Sequence, residues 1–232
     1  MSDERFPRDL RGLSARDVWD YENGFAWFSH PSRLAKALAH FEIYKQIVPL
    51  PGDLLEFGVF KAASLLRFAT FRHLLEGDHA RRIVGFDAFG AFPREALSLS
   101  ADRAFVERFE GAGGEGLARE EVAGLVAAKG FANVELVAGN VFDTLPAFLE
   151  ANAAQRIALL HLDMDVMEPT VFALETLYPR VVPGGIIVVD DYNAVAGASD
   201  ALDAFAAKHD LVPQKAPFNR TPTLLRKPAG RA

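Results

Sequence analysis

Short apolar runs alternate along this chain with stretches of helical periodicity. The runs are Leu54–Phe57, Ile83–Asp87, Asn133–Ala138, Ile157–Leu162 and Ile186–Val189. Continuous apolar runs bounded by turn signals are the pattern of strands buried on both faces of a parallel sheet. Between them lie helical patterns. Leu34, Leu38, Phe41, Tyr44 and Val48 form one face before the first strand. Leu65, Leu66, Phe68, Ala69 and Phe71 follow that strand; Val171, Leu174, Leu177 and Tyr178 precede the fifth; and Ala201, Leu202 and Phe205 follow it. Strand–helix alternation predicts an α/β fold with right-handed crossovers. Pro183-Gly184-Gly185 reads as the turn into the fifth strand, and two strand-like runs after Leu211 read as a closing antiparallel hairpin, giving seven strands in all.

Two segments lie outside this alternation. Residues 1–50 are helical and aromatic (Trp19, Tyr21, Phe25, Trp27, Phe28), either a cover for the core or one wall of a substrate pocket. Within the main domain, residues 51–232, the stretch 90–130 exceeds a minimal connection. Helical patterns over Ala101–Phe109 and Ala118–Lys129 flank a glycine-rich joint at 111–116, which is either a hinged lid or a surface loop.

The apolar runs break into acids. Ile157–Leu162 runs into Asp163 and Asp165, and Ile186–Val189 into Asp190 and Asp191. Both strands end on one sheet edge, where open α/β sheets bind ligands. An Asp-Asp pair alone reads equally well as a solvated loop or a helix cap. Asp163, at the matching end of the preceding strand, shifts the balance toward a cation site, because clustered carboxylates need a cation or a proton between them. Oxygen ligands without Cys suit Mg²⁺ or another hard divalent cation.

Composition narrows the remaining classes. Of 232 residues half are hydrophobic and 24% charged, the profile of an ordinary globular domain. A net charge of −6, with basic residues scattered, argues against a nucleic-acid partner. There is no cysteine, so neither disulfides nor thiolate metal sites exist. A polar N-terminus and the lack of a long apolar run predict a cytoplasmic protein with no membrane partner.

The first strand leads through Gly58-Val59-Phe60 into a helix. Phe60 stands where a dinucleotide fingerprint needs a second glycine to admit a pyrophosphate, and Glu56 would repel one. S-adenosylmethionine, with an ammonium and a sulfonium and no phosphate, suits the same architecture. Asp87, ending the second strand, is the expected ribose ligand.

Four segments together carry a resemblance: Gly-Asp-Leu-Leu-Glu-Phe-Gly-Val-Phe-Lys-Ala-Ala-Ser, Gly-Phe-Asp-Ala-Phe-Gly-Ala-Phe-Pro, Val-Ala-Gly-Asn-Val-Phe-Asp-Thr-Leu-Pro, and Leu-His-Leu-Asp-Met-Asp-Val-Met-Glu-Pro-Thr with Gly-Gly-Ile-Ile-Val-Val-Asp-Asp-Tyr. In this order the chain resembles the macrocin/mycinamicin-type sugar O-methyltransferases, class I Rossmann-like enzymes dependent on S-adenosylmethionine and Mg²⁺. The resemblance implies that Glu56, Phe57 and Gly58 border the methionine end of the cofactor with Ser64 nearby. It also implies that Asp87 holds the ribose, that Gly139, Asn140 and Val141 border the adenine, and that Asp163, Asp190 and Asp191 bind Mg²⁺. The chain departs from the family at Ala62-Ala63, where glycines are usual, and at Met164 and Met167 in the acidic loop.

The implied reaction is methyl transfer to a hydroxyl of a sugar or glycoside acceptor. Catechol O-methyltransferases place a lysine three residues after the first metal aspartate; here that residue is Val166. Asp163 is the first choice for the base, ahead of His161, Asp165 and Glu168. Tyr21, His30 and Tyr192 are candidate acceptor contacts, and the aromatic N-terminal segment is a candidate contact in a homo-oligomer. A phenol or catechol methyltransferase, a related group of hydroxylases linked to cephalosporin pathways, and a non-catalytic nucleoside-binding module remain as alternatives.

Overall fold

The structure, a computed structural model, describes residues 9–93 and 99–229. Residues 94–98 of the expected lid and the two chain ends lie outside the described residues. A two-stranded hairpin, β1 (Asp9–Leu10) and β2 (Leu13–Ser14), opens the described chain and is followed by α1 (Val18–Phe28) and α2 (Pro31–Ile47). The main domain then runs β3 (Asp53–Phe57), α3 (Ala63–Leu75), β4 (Ile83–Asp87), α4 (Ser100–Gly113), α5 (Arg119–Ala128), β5 (Val134–Ala138) and α6 (Val141–Ala151). It closes with β6 (Ile157–Leu162), α7 (Met167–Leu177), β7 (Val181–Val189), α8 (Ala196–Lys208), β8 (Gln214–Lys215) and β9 (Thr223–Arg226).

Seven strands form one sheet in the order β5-β4-β3-β6-β7-β9-β8. The first five are parallel, and β9 and β8 add the expected antiparallel hairpin. The chain leaves β3 toward β4 and β5 on one side and returns through β6 and β7 on the other. The crevice for a ligand therefore opens at the carboxyl ends of β3 and β6. Core residues cover both faces: Leu55, Phe57, Leu160 and Ile187 on one, and Leu54, Leu159, Ile186 and Val188 on the other.

Gly58 fixes the junction. Its φ is +90°, and a Cβ there would lie 1.9 Å from the Asp163 carbonyl oxygen. The Asp163 amide donates to the Phe57 carbonyl at 2.8 Å, so the ends of β3 and β6 lie too close for any side chain between them.

The structure corrects three local readings. Pro183-Gly184-Gly185 is no turn: Val181 pairs with Ile157 and Ile186 with Leu159, so these residues bulge out of β7, where a proline is tolerated. The buried face of α2 is Ala39, His40, Ile43, Tyr44 and Ile47, while Leu34 and Leu38 are 51% and 40% exposed. The helix is rotated from its expected face because a histidine takes a core position. Asn140 caps α6, its Oδ1 accepting from the Phe142 amide at 3.1 Å. Finally, α1 buries none of its residues; Trp19, Trp27 and Phe28 are 71%, 70% and 84% exposed, so within residues 1–50 it is α2 and not the aromatic α1 that covers the core.

Both helices of the 90–130 insertion are present, and their glycine-rich joint is docked. Leu117 N donates to the Phe60 carbonyl at 2.9 Å, Lys61 Nζ donates to the Gly113 carbonyl at 2.6 Å, and the Phe60 ring packs on Phe109. Arg11, from the β1–β2 turn, donates to the Glu115 and Gly116 carbonyls and pairs with Glu121 at 3.1 Å. The far end of α4 is held by Asp102, which is fully buried and accepts from the Met167 amide, the first of α7, at 2.9 Å. A Cβ at Gly197, in the first turn of α8, would lie 2.3 Å from the same carboxylate.

Candidate active site

A cavity of about 1190 Å³ opens at the carboxyl ends of the parallel strands. Its volume exceeds that usual for one small ligand. Phe57, Gly58, Ser64, Asp87, Gly139, Asn140, Val141, Asp163, Asp165 and Asp191 all line it. Residues from five loops, distant in sequence, thus meet as the strand pattern requires.

The loop after β3 carries Phe60 and Ala62 in the left-handed region, with φ of 48° and 58°. Asp87 holds it there: Oδ2 accepts from the Val59 and Phe60 amides at 2.7 and 2.8 Å, and Oδ1 from the Phe89 amide at 2.7 Å. A carboxylate offers about four acceptor positions. Most of those on Asp87 therefore serve its own backbone, a use the sequence reading did not foresee. The Phe60 ring lines the cavity, as its bulk in that loop implied.

Glu56 does not line the cavity. It is fully buried, and Ser64 Oγ, which does face the cavity, donates to Glu56 Oε1 at 2.5 Å. Burial pushes the Glu56 carboxyl up to about 7, against the opposing influence of His161 and Ser64. Its reach toward a ligand therefore passes through Ser64.

The acids divide into two layers. Carboxylate oxygens of Asp163, Asp165 and Asp191 converge within 4.8 Å of one another, half-buried at the cavity wall. Asp190 is not with them. It lies behind the wall, fully buried, with Oδ1 at 3.3 Å from His40 Nε2 and 3.6 Å from His161 Nε2, and it forms an ion pair with Lys36 through Oδ2. β7 ends at Val189, and in the turn that follows, the Asp190 side chain goes to the buried side while Asp191 lines the cavity. The donor set drawn from the sequence, Asp163, Asp190 and Asp191, thus differs from the converging set, in which Asp165 replaces Asp190. A φ of 66° at Asp165 turns its side chain in, and Asp tolerates that conformation better than most residues.

Electrostatics follow the same division. Burial raises Asp163 well above the usual carboxylate range, and the charges of Asp190 and Asp191 add to it. Burial and Asp163 push Asp165 up to about 7, and burial with Asp165 and Asp190 pushes Asp191 up to about 8. Burial also opposes ionisation of Asp190, but the nearby His161 and His40 imidazoles and the charge of Lys36 outweigh it and hold Asp190 well below the usual range. Three hard oxygen donors whose ionisation is held back by one another match a divalent cation; the buried, hydrogen-bonded Asp190 is already neutralised by protein groups.

His161, a candidate base, is fully buried and does not line the cavity; its Nε2 faces Asp190. Glu168 does not line the cavity either. The candidate acceptor contacts are also elsewhere. Tyr21 Oη accepts from the Ser14 amide at 2.8 Å, His30 Nδ1 caps α2 by accepting from Ser32 N, and Tyr192 Oη donates to Asp203 on α8 at 2.9 Å. The polar residues that do face the cavity there are Ser32, Arg33, Lys36, Arg67, Asn219, Arg220 and Thr221. Sequence reasoning missed these. The signal for Arg33 and Lys36 was their helical spacing on α2; for Arg220 there was none, since only the hairpin brings it near.

The sequence matches the macrocin-O-methyltransferase (TylF) family over residues 33–226. The chain belongs to that family. It is 32% identical over 165 residues to the 8-demethyl-8-(2,3-dimethoxy-alpha-L-rhamnosyl)-tetracenomycin-C 4'-O-methyltransferase of Streptomyces olivaceus, a match covering 70% of this chain and 60% of that relative. The chain thus spans less than two thirds of that relative's length. Among solved structures, CalS11, a TDP-rhamnose 3'-O-methyltransferase of calicheamicin biosynthesis, superposes with a TM-score of 0.65 at 26% identity, covering 92% of this chain and 87% of CalS11. The O-methyltransferase NovP shares the fold, with a TM-score of 0.71 at 24% identity over 84% of this chain and 80% of its own. The family's Rossmann-like sheet is the one expected from the strand pattern. Among the described residues, no helix is long and apolar enough to cross a membrane.

Proposed function

We propose that this protein transfers the methyl group of S-adenosylmethionine to a hydroxyl of a sugar, either nucleotide-linked or in a glycoside. The observation that carries this reading is the placement of Asp163. It lines one cavity with both the Gly58–Ser64 loop and the carboxylates of Asp165 and Asp191, so cofactor and acceptor sites share a wall. Membership of the macrocin-O-methyltransferase family supports the reaction class, and the rhamnosyl and TDP-rhamnose specificities in the names of two relatives support a deoxysugar acceptor.

In this reading the cofactor lies along the carboxyl edge of β3, β4 and β5. Gly58 and Ser64 border its methionine end and Gly139 to Val141 its adenine, while Asp87 shapes the loop and offers its remaining acceptor position to the ribose. Phe60 stands in that loop where a pyrophosphate site would need a glycine, which favours a phosphate-free nucleoside cofactor.

Asp163, Asp165 and Asp191 would hold Mg²⁺ or a similar cation. When bound, it supplies Lewis-acid polarisation of the acceptor hydroxyls. Asp163, on the wall shared by the two sites, accepts the hydroxyl proton. The acceptor oxygen then bonds to the methyl carbon as the carbon–sulfur bond breaks, and that electron pair stays on sulfur to give S-adenosylhomocysteine. Asp190, with His40, His161 and Lys36, positions the strand end from behind and touches no substrate.

The test is incubation with methyl-labelled S-adenosylmethionine and a panel of nucleotide deoxysugars, deoxysugar glycosides and catechols, with Mg²⁺. Label in a sugar product is the expected result. Transfer to catechols alone would move the acceptor class, and no transfer to any acceptor would favour a nucleoside-binding module.

A further inference from the structure

Six cations, Arg11, Arg33, Lys36, Lys61, Arg67 and Arg220, line the cavity of a protein of net charge −6. Several are already engaged: Arg11 with Glu121, Lys36 with Asp190, and Lys61 with the Gly113 carbonyl. Arg33, Arg67 and Arg220 also line the cavity, and among the described residues none of the three has a carboxylate within ion-pair distance. Arg33 lies one turn before Lys36 on α2, and Arg67 one turn after Ser64 on α3, so each shares a helix face with a residue that lines the cavity. Arg220 comes from the β8–β9 connection, with Asn219 and Thr221 beside it.

Arg67 is half-buried and within electrostatic range of Arg33. Burial lowers its affinity for the proton, and the like charge of Arg33 lowers it further. Asp190, Glu56 and Asp163 offset part of this from a distance, but none lies within ion-pair range of Arg67, so an anion placed between the two guanidiniums would be stabilised by both. Guanidinium groups are suited to phosphate, which they bind through paired N–H donors. The cofactor in the proposed reading has one carboxylate and a net positive charge, so three guanidiniums exceed what it needs. They stand on α2, α3 and the hairpin, away from the Gly139–Val141 end.

We propose that Arg33, Arg67 and Arg220 form an anion subsite for a phosphate group on the anomeric carbon of the acceptor, so that the sugar methylated is diphosphate-linked rather than part of a neutral glycoside. The proposal rests on the sugar methyltransferase reading and selects within it. It orders the biosynthesis: methylation precedes the glycosyl-transfer reaction that consumes the activated sugar.

The experiment is calorimetric titration of the chain saturated with S-adenosylhomocysteine, in EDTA so that no cation bridges phosphate to the carboxylates. The probes are inorganic pyrophosphate, dTDP, UDP, glucuronate and methyl rhamnoside. Pyrophosphate and the nucleoside diphosphates are expected to bind, about tenfold or more weakly in each of Arg33→Ala and Arg67→Gln. S-adenosylhomocysteine affinity should be unchanged in both variants. Tighter binding of dTDP or UDP than of pyrophosphate identifies a nucleoside-linked sugar; equal binding identifies diphosphate alone, as in other diphosphate-linked sugars. The subsite is overturned if no phosphate probe binds, if glucuronate binds in their place, or if binding survives in the Arg33→Ala, Arg67→Gln double variant. Weaker S-adenosylhomocysteine binding in Arg67→Gln would also overturn it, by assigning that guanidinium to the cofactor's carboxylate. Arg33 is exposed, so its variant should keep the fold if Arg67→Gln does not. Should S-adenosylhomocysteine not bind at all, the methyltransferase reading fails, and the same titration of the ligand-free chain still reads the anion subsite.

Discussion

Asp190 and Asp191 follow one another at the end of β7, yet the Asp190 carboxylate meets His40 Nε2 at 3.3 Å in a buried layer while Asp191 turns into the cavity beside Asp163 and Asp165. Their variants should therefore fail differently. Asp191→Ala is expected to lose cation-dependent methyl transfer while keeping its melting temperature and its affinity for S-adenosylhomocysteine. Asp190→Asn removes the partner of Lys36 and His161 from the interior, and breaking a buried charge pair costs about 3–5 kcal/mol. Thermal and urea denaturation separate the two; equal stability losses would contradict the division into layers.

Gly58→Ala tests the junction of β3 and β6. The new Cβ would fall 1.9 Å from the Asp163 carbonyl oxygen, at a φ of +90°. Left-handed strain and overpacking together cost about 2–5 kcal/mol. Any folded fraction should bind S-adenosylhomocysteine poorly, because the strand end carrying Asp163 must move. A variant with native stability and affinity would show that the two loops are not coupled.

How far the sequence reached is clearest at these positions. The five parallel strands, the closing hairpin and the convergence of Gly58, Asp87, Gly139 and Asp163 follow from apolar runs and the turns that end them. What it did not reach depends on side-chain direction. Asp165 lines the cavity and Asp190 does not, because a left-handed residue and the turn after β7 decide which carboxylate faces it. His40 was passed over because a polar residue in a helical pattern is counted as exposed. Tyr21, His30 and Tyr192 look like ligand contacts by type, yet their polar atoms serve local hydrogen bonds. Arg33, Arg67 and Arg220 are far apart in sequence, and only the packing of α2 on α3 and the β8–β9 connection brings them to one cavity.

The pH dependence of stability should carry the signature of Glu56. Its carboxyl is raised by burial from an ordinary 4.5 to about 7, so the folded state holds the proton more tightly than the unfolded state does. That contribution is fully present below about pH 4.5 and is lost as pH rises to about 7. Glu56→Gln cannot ionise and escapes the loss. Its melting temperature relative to the native chain should therefore be higher at about pH 8 than at about pH 5. A difference independent of pH would mean that Glu56 is ionised throughout.

Asp102 joins α4 to the start of α7, directly after the acidic loop. Asp102→Ala removes the acceptor for the Met167 amide and should cost about 1–2 kcal/mol, the usual value of a lost cap. Hydrogen exchange should accelerate across α4 and at Met167, with α5 and the central strands unchanged. Uniform acceleration would point to global destabilisation instead of release of one helix.

The central claim is that the β3–β4–β5 edge holds a phosphate-free nucleoside cofactor independently of the carboxylate cluster. Calorimetric titration with S-adenosylhomocysteine, in Mg²⁺ and again in EDTA, tests it most directly. One-site binding of similar affinity in both conditions is the predicted result, and it assigns the carboxylates to the acceptor side. Absence of binding in both would contradict the account and leave Asp87, Ser64 and Gly58 as parts of an ordinary strand-end loop.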